Sequence, residues 1–209
     1  MNNILRLDLH NIAANYGARR VLQQITLTLR QCETLVISGV NGSGKSTLLR
    51  LLSGLQQPAS GTIHYHYQGT CYTPRQAMHL LGWVAPDLAL YRELTGRENL
   101  RFFAAVRGLQ RNDTQLDELL ARVGLAGRGD DRVACYSSGM THRLRYAYAL
   151  LHDPPVLLLD EPTVTLDESG VAMVTRVVEM QRTFGITVIA TNDVRELCFG
   201  DYVLTLDTA

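Results

Sequence analysis

Nine residues, GVNGSGKST (39–47), combine three glycines, one lysine and three hydroxyls in a spacing suited to gripping an anion. Gly39, Gly42 and Gly44, with Asn41 and Ser43 between them, let the backbone turn so that its N–H groups point inward as an anion nest. Lys45 supplies a point charge for the β- and γ-phosphates of a nucleotide. The Ser46 hydroxyl is a hard oxygen ligand for Mg²⁺, and Thr47 can bond an α-phosphate oxygen. The pattern G-x-x-x-x-G-K-[ST] carries this meaning only between a strand and a helix. Both are present: TLVISG (34–39) is a continuous apolar run, and TLLRLLSGL after it reads as a helix whose positive end adds to the site. Of the 20 basic side chains 19 are Arg, and the one Lys falls on this motif.

Two further stretches carry chemistry. In VLLLDEP (156–162) four apolar residues deliver Asp160 and Glu161 to a strand end. Asp160 would hold Mg²⁺ directly or through water, and Glu161 would orient or deprotonate an attacking water. A charged strand end before a proline turn is the bland alternative, less suited to an adjacent Asp-Glu pair in a chain with a phosphate loop. In TVIATND (187–193) a β-branched strand stops on Thr191, Asn192 and Asp193. Asn192 or Asp193 could cap the next helix, and the Asn192 amide could also donate to a phosphate oxygen.

The elements that must position these residues are legible as periods. Leu5, Leu7 and Leu9, and again Ile25, Leu27 and Leu29, alternate with polar residues, as half-buried and antiparallel strands do. GTIHYHYQG (61–69) is another strand, with His64 and His66 on one solvated face. From about residue 87 the texture becomes helical: a capping box Thr95-x-x-Glu98, an amphipathic segment over 113–125, a loop over 127–132 and a helix over 137–153. Strand texture then returns in VLLLDEP, followed by a helix over 168–184, ITVIATN, a short helix and YVLTLD.

Composition narrows the class. A chain of 209 residues that is 46% hydrophobic can bury a core as one domain. Basic and acidic residues number 20 each, so no net charge draws it to nucleic acid. No apolar run is long enough for a membrane span and no signal-peptide layout is present, so a soluble chain is expected and any membrane role needs a partner. The four cysteines are scattered, without C-x-x-C, and are expected as buried or half-exposed thiols in a reducing cytosol.

The order and spacing of the motifs resemble the ABC ATPases over essentially the whole chain. YSSGM (136–140), at a helix start shortly before LLLDEPTVTLDESG, stands where that family has its Leu-Ser-Gly-Gly-Gln signature, then Walker B and a D-loop. The resemblance implies an α/β P-loop NTPase: an ABC-type nucleotide-binding domain with a mixed sheet, an N-terminal antiparallel β subdomain and an inserted helical subdomain. Residues 1–86 and 153–209 would form the nucleotide-binding core, and 87–152 the helical subdomain of a single domain over 1–209. ATP and Mg²⁺ are the implied ligands. Tyr16 falls where the family stacks an aromatic on adenine, and Asp167 where it has its D-loop. Ser137, Ser138, Gly139 and Met140 would face the γ-phosphate held by a second subunit, sandwiching two ATPs head to tail. Physically this segment is a helix start that Ser137 and Ser138 can cap, with free N–H groups and a close approach at Gly139.

Three departures stand out. The signature reads Tyr-Ser-Ser-Gly-Met. The place of the Q-loop glutamine falls on Pro86, with Asp87 adjacent and within conceivable reach of Mg²⁺ or a water. Asn192 replaces the switch histidine, and unlike histidine it cannot become cationic. The stretch APDLALYRELTGRENLRFF is similar to the haem-exporter ATPases of cytochrome c maturation, while drug-export ATPases share most of these words. The resemblance implies transmembrane permease subunits and a second ATPase subunit as partners, no nucleic acid, and a place on the cytoplasmic face of the membrane. Two other readings stand beside it: a nucleotide-gated module that hydrolyses slowly, and a soluble ABC ATPase without a transport role.

Overall fold

The computed structural model describes residues 5–16 and 19–206. Along the chain the elements run β1 (Arg6–Tyr16), β2 (Arg19–Arg30), β3 (Thr34–Ser38), α1 (Lys45–Leu52), β4 (Ser60–Tyr67), β5 (Thr70–Tyr72), β6 (Leu81–Val84), α2 (Gly96–Val106), α3 (Asp113–Arg122), α4 (Ser138–Leu150), β7 (Val156–Asp160), α5 (Glu168–Gln181), β8 (Ile186–Thr191) and β9 (Tyr202–Thr205). The antiparallel and parallel strands form two separate sheets: a four-stranded one in the order β2-β1-β4-β5 and a five-stranded one in the order β6-β7-β8-β3-β9. Every pairing in the second is parallel. The alternating strands need only one buried face, so they pair as an antiparallel layer, whereas the continuous apolar runs need both faces covered.

That cover is supplied by two cores. Leu35, Ile37, Leu158 and Val188 point to one side, against Leu48 and Leu52 of α1 and Leu7 and Tyr65 of the antiparallel sheet. Val36, Leu157, Leu159 and Ile189 point to the other, against Leu144 of α4 and Met173 and Val177 of α5. The chain leaves the parallel sheet after Val84, forms α2, α3 and α4, and re-enters at Val156. The Thr95–Glu98 capping box closes as its sequence predicts, and Asn112 with Gln115 forms a second one at α3.

Some local expectations are corrected. The segment expected as a helix over 113–125 stops at Arg122, because Gly124 turns left-handed at φ +76°. The helix expected to 184 ends at Gln181, and the short helix after β8 is a 3₁₀ turn, Val194–Phe199. Cys32, Cys71, Cys135 and Cys198 are all exposed rather than buried. His64 and His66 are half-buried and partnered: His66 Nε2 lies 3.1 Å from Asp8 Oδ2, and His64 Nδ1 lies 3.6 Å from Cys71 Sγ.

Candidate nucleotide-binding site

Register brings the three constellations together. Ser38 pairs with Thr191 and Asp160 with Ala190, so β3, β7 and β8 end side by side. Open α/β sheets bind ligands at this edge. The loop after β3 runs into α1 through Gly42 at φ +82° and Gly44 at φ +103°. A Cβ on Gly44 would lie 2.7 Å from Val21 Cγ1, so both its conformation and its packing require glycine.

Lys45 is only 5% exposed. Its ammonium donates to the Gly39 and Val40 carbonyls at 2.8 and 3.2 Å and lies 3.8 Å from Glu161 Oε1. The Ser43 hydroxyl is buried and has no partner among the described residues. An orphan hydroxyl inside a glycine loop is the kind of group a phosphate oxygen would satisfy. Ser46 Oγ donates to Asp160 Oδ1 at 3.2 Å, so two hard oxygens already stand together where Mg²⁺ would bind. Thr47, Asn41, Gly42 and Pro86 complete the walls of a cleft of about 550 Å³. Asp87 is exposed, sits 4.0 Å from Arg50 and is among the charges that act on Asp160. Tyr16 ends β1, and its side chain lies outside the described part of the structure.

Burial pushes the Asp160 carboxyl above the usual carboxylate range, against the pull of the Ser46 hydrogen bond and Lys45. Burial likewise raises Glu161, opposed by the Asn192 N–H and Lys45. A carboxyl with a raised folded pKa favours the fold fully while protonated, and that contribution disappears as pH climbs through the raised value. Ionising Asp160 therefore lowers stability. Asp160→Asn, which can still accept from Ser46, is expected to raise the Tm of the nucleotide- and metal-free chain at neutral pH. The gain should vanish as pH falls below about 3.9, where the unfolded aspartate is also protonated. A Tm gain that persists unchanged in acid would refute this account.

Asn192 Nδ2 donates to Asn41 Oδ1 at 3.1 Å, and its backbone N–H reaches Glu161 Oε2 at 3.4 Å. The cap of the following turn is Asp193, which accepts from Arg195 N at 2.9 Å, so the Asn192 amide is spent on the site and not on capping.

The Ser137–Met140 segment does not meet Lys45. It lines a separate cleft of about 460 Å³ with Arg143, Thr165 and Asp167. Ser137 alone caps α4, accepting from Met140 N at 3.2 Å; Ser138 is already the first helical residue, which corrects the expectation of two capping serines. Asp167 caps α5 by accepting from Gly170 N at 2.9 Å. Arg143, which sequence reasoning missed, is 12% exposed in its side chain and donates to Asp167 Oδ1 at 2.8 Å and Ser169 Oγ at 2.6 Å. It ties the start of α4 to the start of α5.

Residues 22–164 match the profile of the family described as ABC transporter. The chain belongs to the ABC transporter family. Family members form a class of ATP-hydrolysing enzymes, and the phosphate loop, Asp160-Glu161 and the start of α4 all fall in or beside the matched stretch. The chain is 35% identical to the uncharacterized ABC transporter ATP-binding protein YhcH of Bacillus subtilis, over 79% of this chain and 54% of that one. It is 34% identical to the cytochrome c biogenesis ATP-binding export protein CcmA of Methylococcus capsulatus, over 87% of this chain and 90% of that one. Among solved structures, cbiO1 from Clostridium perfringens, part of the ABC transporter complex cbiONQ, superposes with a TM-score of 0.78 at 30% identity, covering 96% of this chain and 84% of that one. The chain spans about half the length of the first curated ABC relatives it matches, 54% and 49%. No helix among the described residues is long and apolar enough to cross a membrane.

Proposed function

We propose that the chain is the ATP-hydrolysing subunit of an ABC transporter. The observation that carries this reading is the single edge holding Lys45, the Ser46–Asp160 pair and Glu161 with its carboxylate between Lys45 and Asn192. Lys45, Ser43, Ser46 and Thr47 bind the phosphates of ATP, and Ser46 and Asp160 hold Mg²⁺, which supplies charge neutralisation when bound. Glu161 takes the proton of the attacking water. Residues 1–86 and 153–209 act as the nucleotide core. The helical block 87–152 presents Ser137, Ser138, Gly139 and Met140 to the ATP of a second subunit, with Asp167 beside them. The separate cleft supports that division, because within this chain the signature residues line a cleft that shares no residue with that of the phosphate loop.

The membrane partner is a set of permease subunits at the cytoplasmic face. The support is an apolar groove of about 370 Å³ lined by Leu55, Met78, Trp83, Leu88 and Tyr148, with Leu55 63% exposed. Export of a cargo belonging to cytochrome c maturation, haem being the candidate, is the finer reading, supported by the name of the Methylococcus relative. Zero net charge argues against a nucleic-acid role. Light scattering tests the dimer: the chain should be monomeric or weakly dimeric alone and dimeric with ATP when hydrolysis is blocked. A tight dimer without nucleotide would count against closure through ATP.

One observation favours a second reading, a slow nucleotide-gated module: the switch position is an amide already engaged by Asn41. Asn192→His separates the two. With the amide built into the working site, the change is expected to lower turnover about threefold to tenfold by breaking the bond to Asn41. A clear rise in turnover would instead mark the wild type as tuned slow.

A further inference from the structure

Glu161 sits in a turn that local sterics disfavour. Glu161 at φ +50° and Thr165 at φ +68° are both left-handed and neither is glycine. For a β-branched residue such as Thr165 this is an outlier. Conformations of this kind persist only where the surroundings over-determine them, and they concentrate at functional sites. Three elements hold this turn. From β8, Ala190 O accepts the Glu161 N–H at 2.8 Å. From α4, the Tyr146 hydroxyl donates to Pro162 O at 2.9 Å. From the 3₁₀ turn after β8, Glu196 Oε1 accepts the Thr163 N–H at 3.2 Å and the Thr163 hydroxyl as well.

Tyr146 and Glu196 are costly residues to place there. Tyr146 is fully buried and Glu196 is 4% exposed. A leucine would pack α4 against the sheet without a hydroxyl to satisfy, and a buried carboxylate is tolerated only when bonded. The Tyr146 hydroxyl and Glu196 Oε1 are directed at the two residues that follow Glu161, while Glu196 Oε2 is buried with no partner among the described residues. Glu196 also lies four residues beyond Asn192, so one short segment holds the turn at Thr163 and reaches the Glu161 carboxylate with the Asn192 N–H.

We propose that Tyr146 and Glu196 are positioning residues for hydrolysis: from the signature helix and from the turn after β8 they fix the Glu161–Thr165 turn, and through it the Glu161 carboxylate. This rests on the ATPase reading of Glu161. It also makes α4 and the β8 turn report directly on the geometry of the attacking-water site. Glu196→Gln keeps an acceptor for Thr163, whereas Glu196→Leu removes it.

The test is steady-state ATP turnover against ATP concentration, with thermal unfolding, for wild type, Tyr146→Phe, Glu196→Gln and Glu196→Leu. Tyr146→Phe and Glu196→Leu are expected to lower kcat about threefold to tenfold with KM for ATP unchanged. Glu196→Gln should recover most of what Glu196→Leu loses. A merely structural role would lower the Tm without this split between kcat and KM or this rescue. The proposal falls if Tyr146→Phe keeps wild-type kcat, if only KM changes, or if Glu196→Gln is as slow as Glu196→Leu. Should Glu196→Leu fail to fold, the two conservative variants decide. A wild type no faster than Glu161→Gln would overturn the ATPase reading itself, whereas an active wild type matched by Tyr146→Phe overturns this proposal alone.

Discussion

Glu161→Gln is expected to keep ATP binding and lose turnover by roughly 10²- to 10⁴-fold, the contribution of a positioned general base. The substitution is nearly isosteric. Gln can still accept the Asn192 N–H that reaches Glu161 Oε2 at 3.4 Å, so the strand end keeps its geometry. What the amide cannot do is take a proton. Phosphate affinity should survive because the groups proposed to grip phosphate, Lys45 and Ser43 to Thr47, are untouched. Burial raises the Glu161 carboxyl, which makes its ionised form a stronger base. Wild-type turnover should accordingly fall as pH drops through that raised value and the carboxylate protonates. In Glu161→Gln this acid limb should be absent from the residual rate. Release of inorganic phosphate at saturating ATP measures both effects. Equal, pH-independent rates in wild type and variant would remove Glu161 from the chemistry and with it the enzyme reading.

The parts of this site legible in the sequence are those whose meaning lies within a few residues. The phosphate loop, the Asp160-Glu161 strand end and the half-buried strands are local patterns, and tertiary packing brings the first two to one sheet edge. Residues whose role depends on a distant partner left no such mark. Arg143 finds Asp167 across 24 residues, Tyr146 finds Pro162 across 16, and Thr163 finds Glu196 across 33. A tyrosine on a buried helix face reads simply as core until the carbonyl it touches is known. The capping serine shows a subtler limit: Ser137 and Ser138 are chemically equivalent, and only backbone dihedrals decide that Ser137 is the cap. The same holds for Asn192 and Asp193, where Asp193 takes the cap and leaves the amide to the site. Cysteine exposure was misjudged because four scattered thiols follow no period that marks a face.

Lys45→Ala is expected to weaken ATP binding by about 10- to 150-fold, the equivalent of losing a charge-assisted hydrogen bond of about 1.5–3 kcal/mol. Two consequences should accompany it. The Gly39 and Val40 carbonyls lose the ammonium that now satisfies them at 2.8 and 3.2 Å, so the loop itself loosens. Glu161 loses the cation that favours its charged form, so its carboxyl should rise further. Turnover would fall more than affinity, because the second effect adds to the first even at saturating ATP. Lys45→Arg is the informative companion. The chain uses Arg at 19 of its 20 basic positions, so its single Lys stands where Arg evidently does not serve. The reason is geometric: the ammonium is 5% exposed and donates along two different carbonyl directions, which a compact charge with rotatable donors can do and a planar guanidinium fork cannot. Calorimetric titration with ATP should therefore find Lys45→Arg much closer to Lys45→Ala than to wild type. If Lys45→Ala binds ATP with undiminished affinity, the loop is not the phosphate site. If Lys45→Arg binds like wild type, charge alone suffices there and the shape argument is wrong.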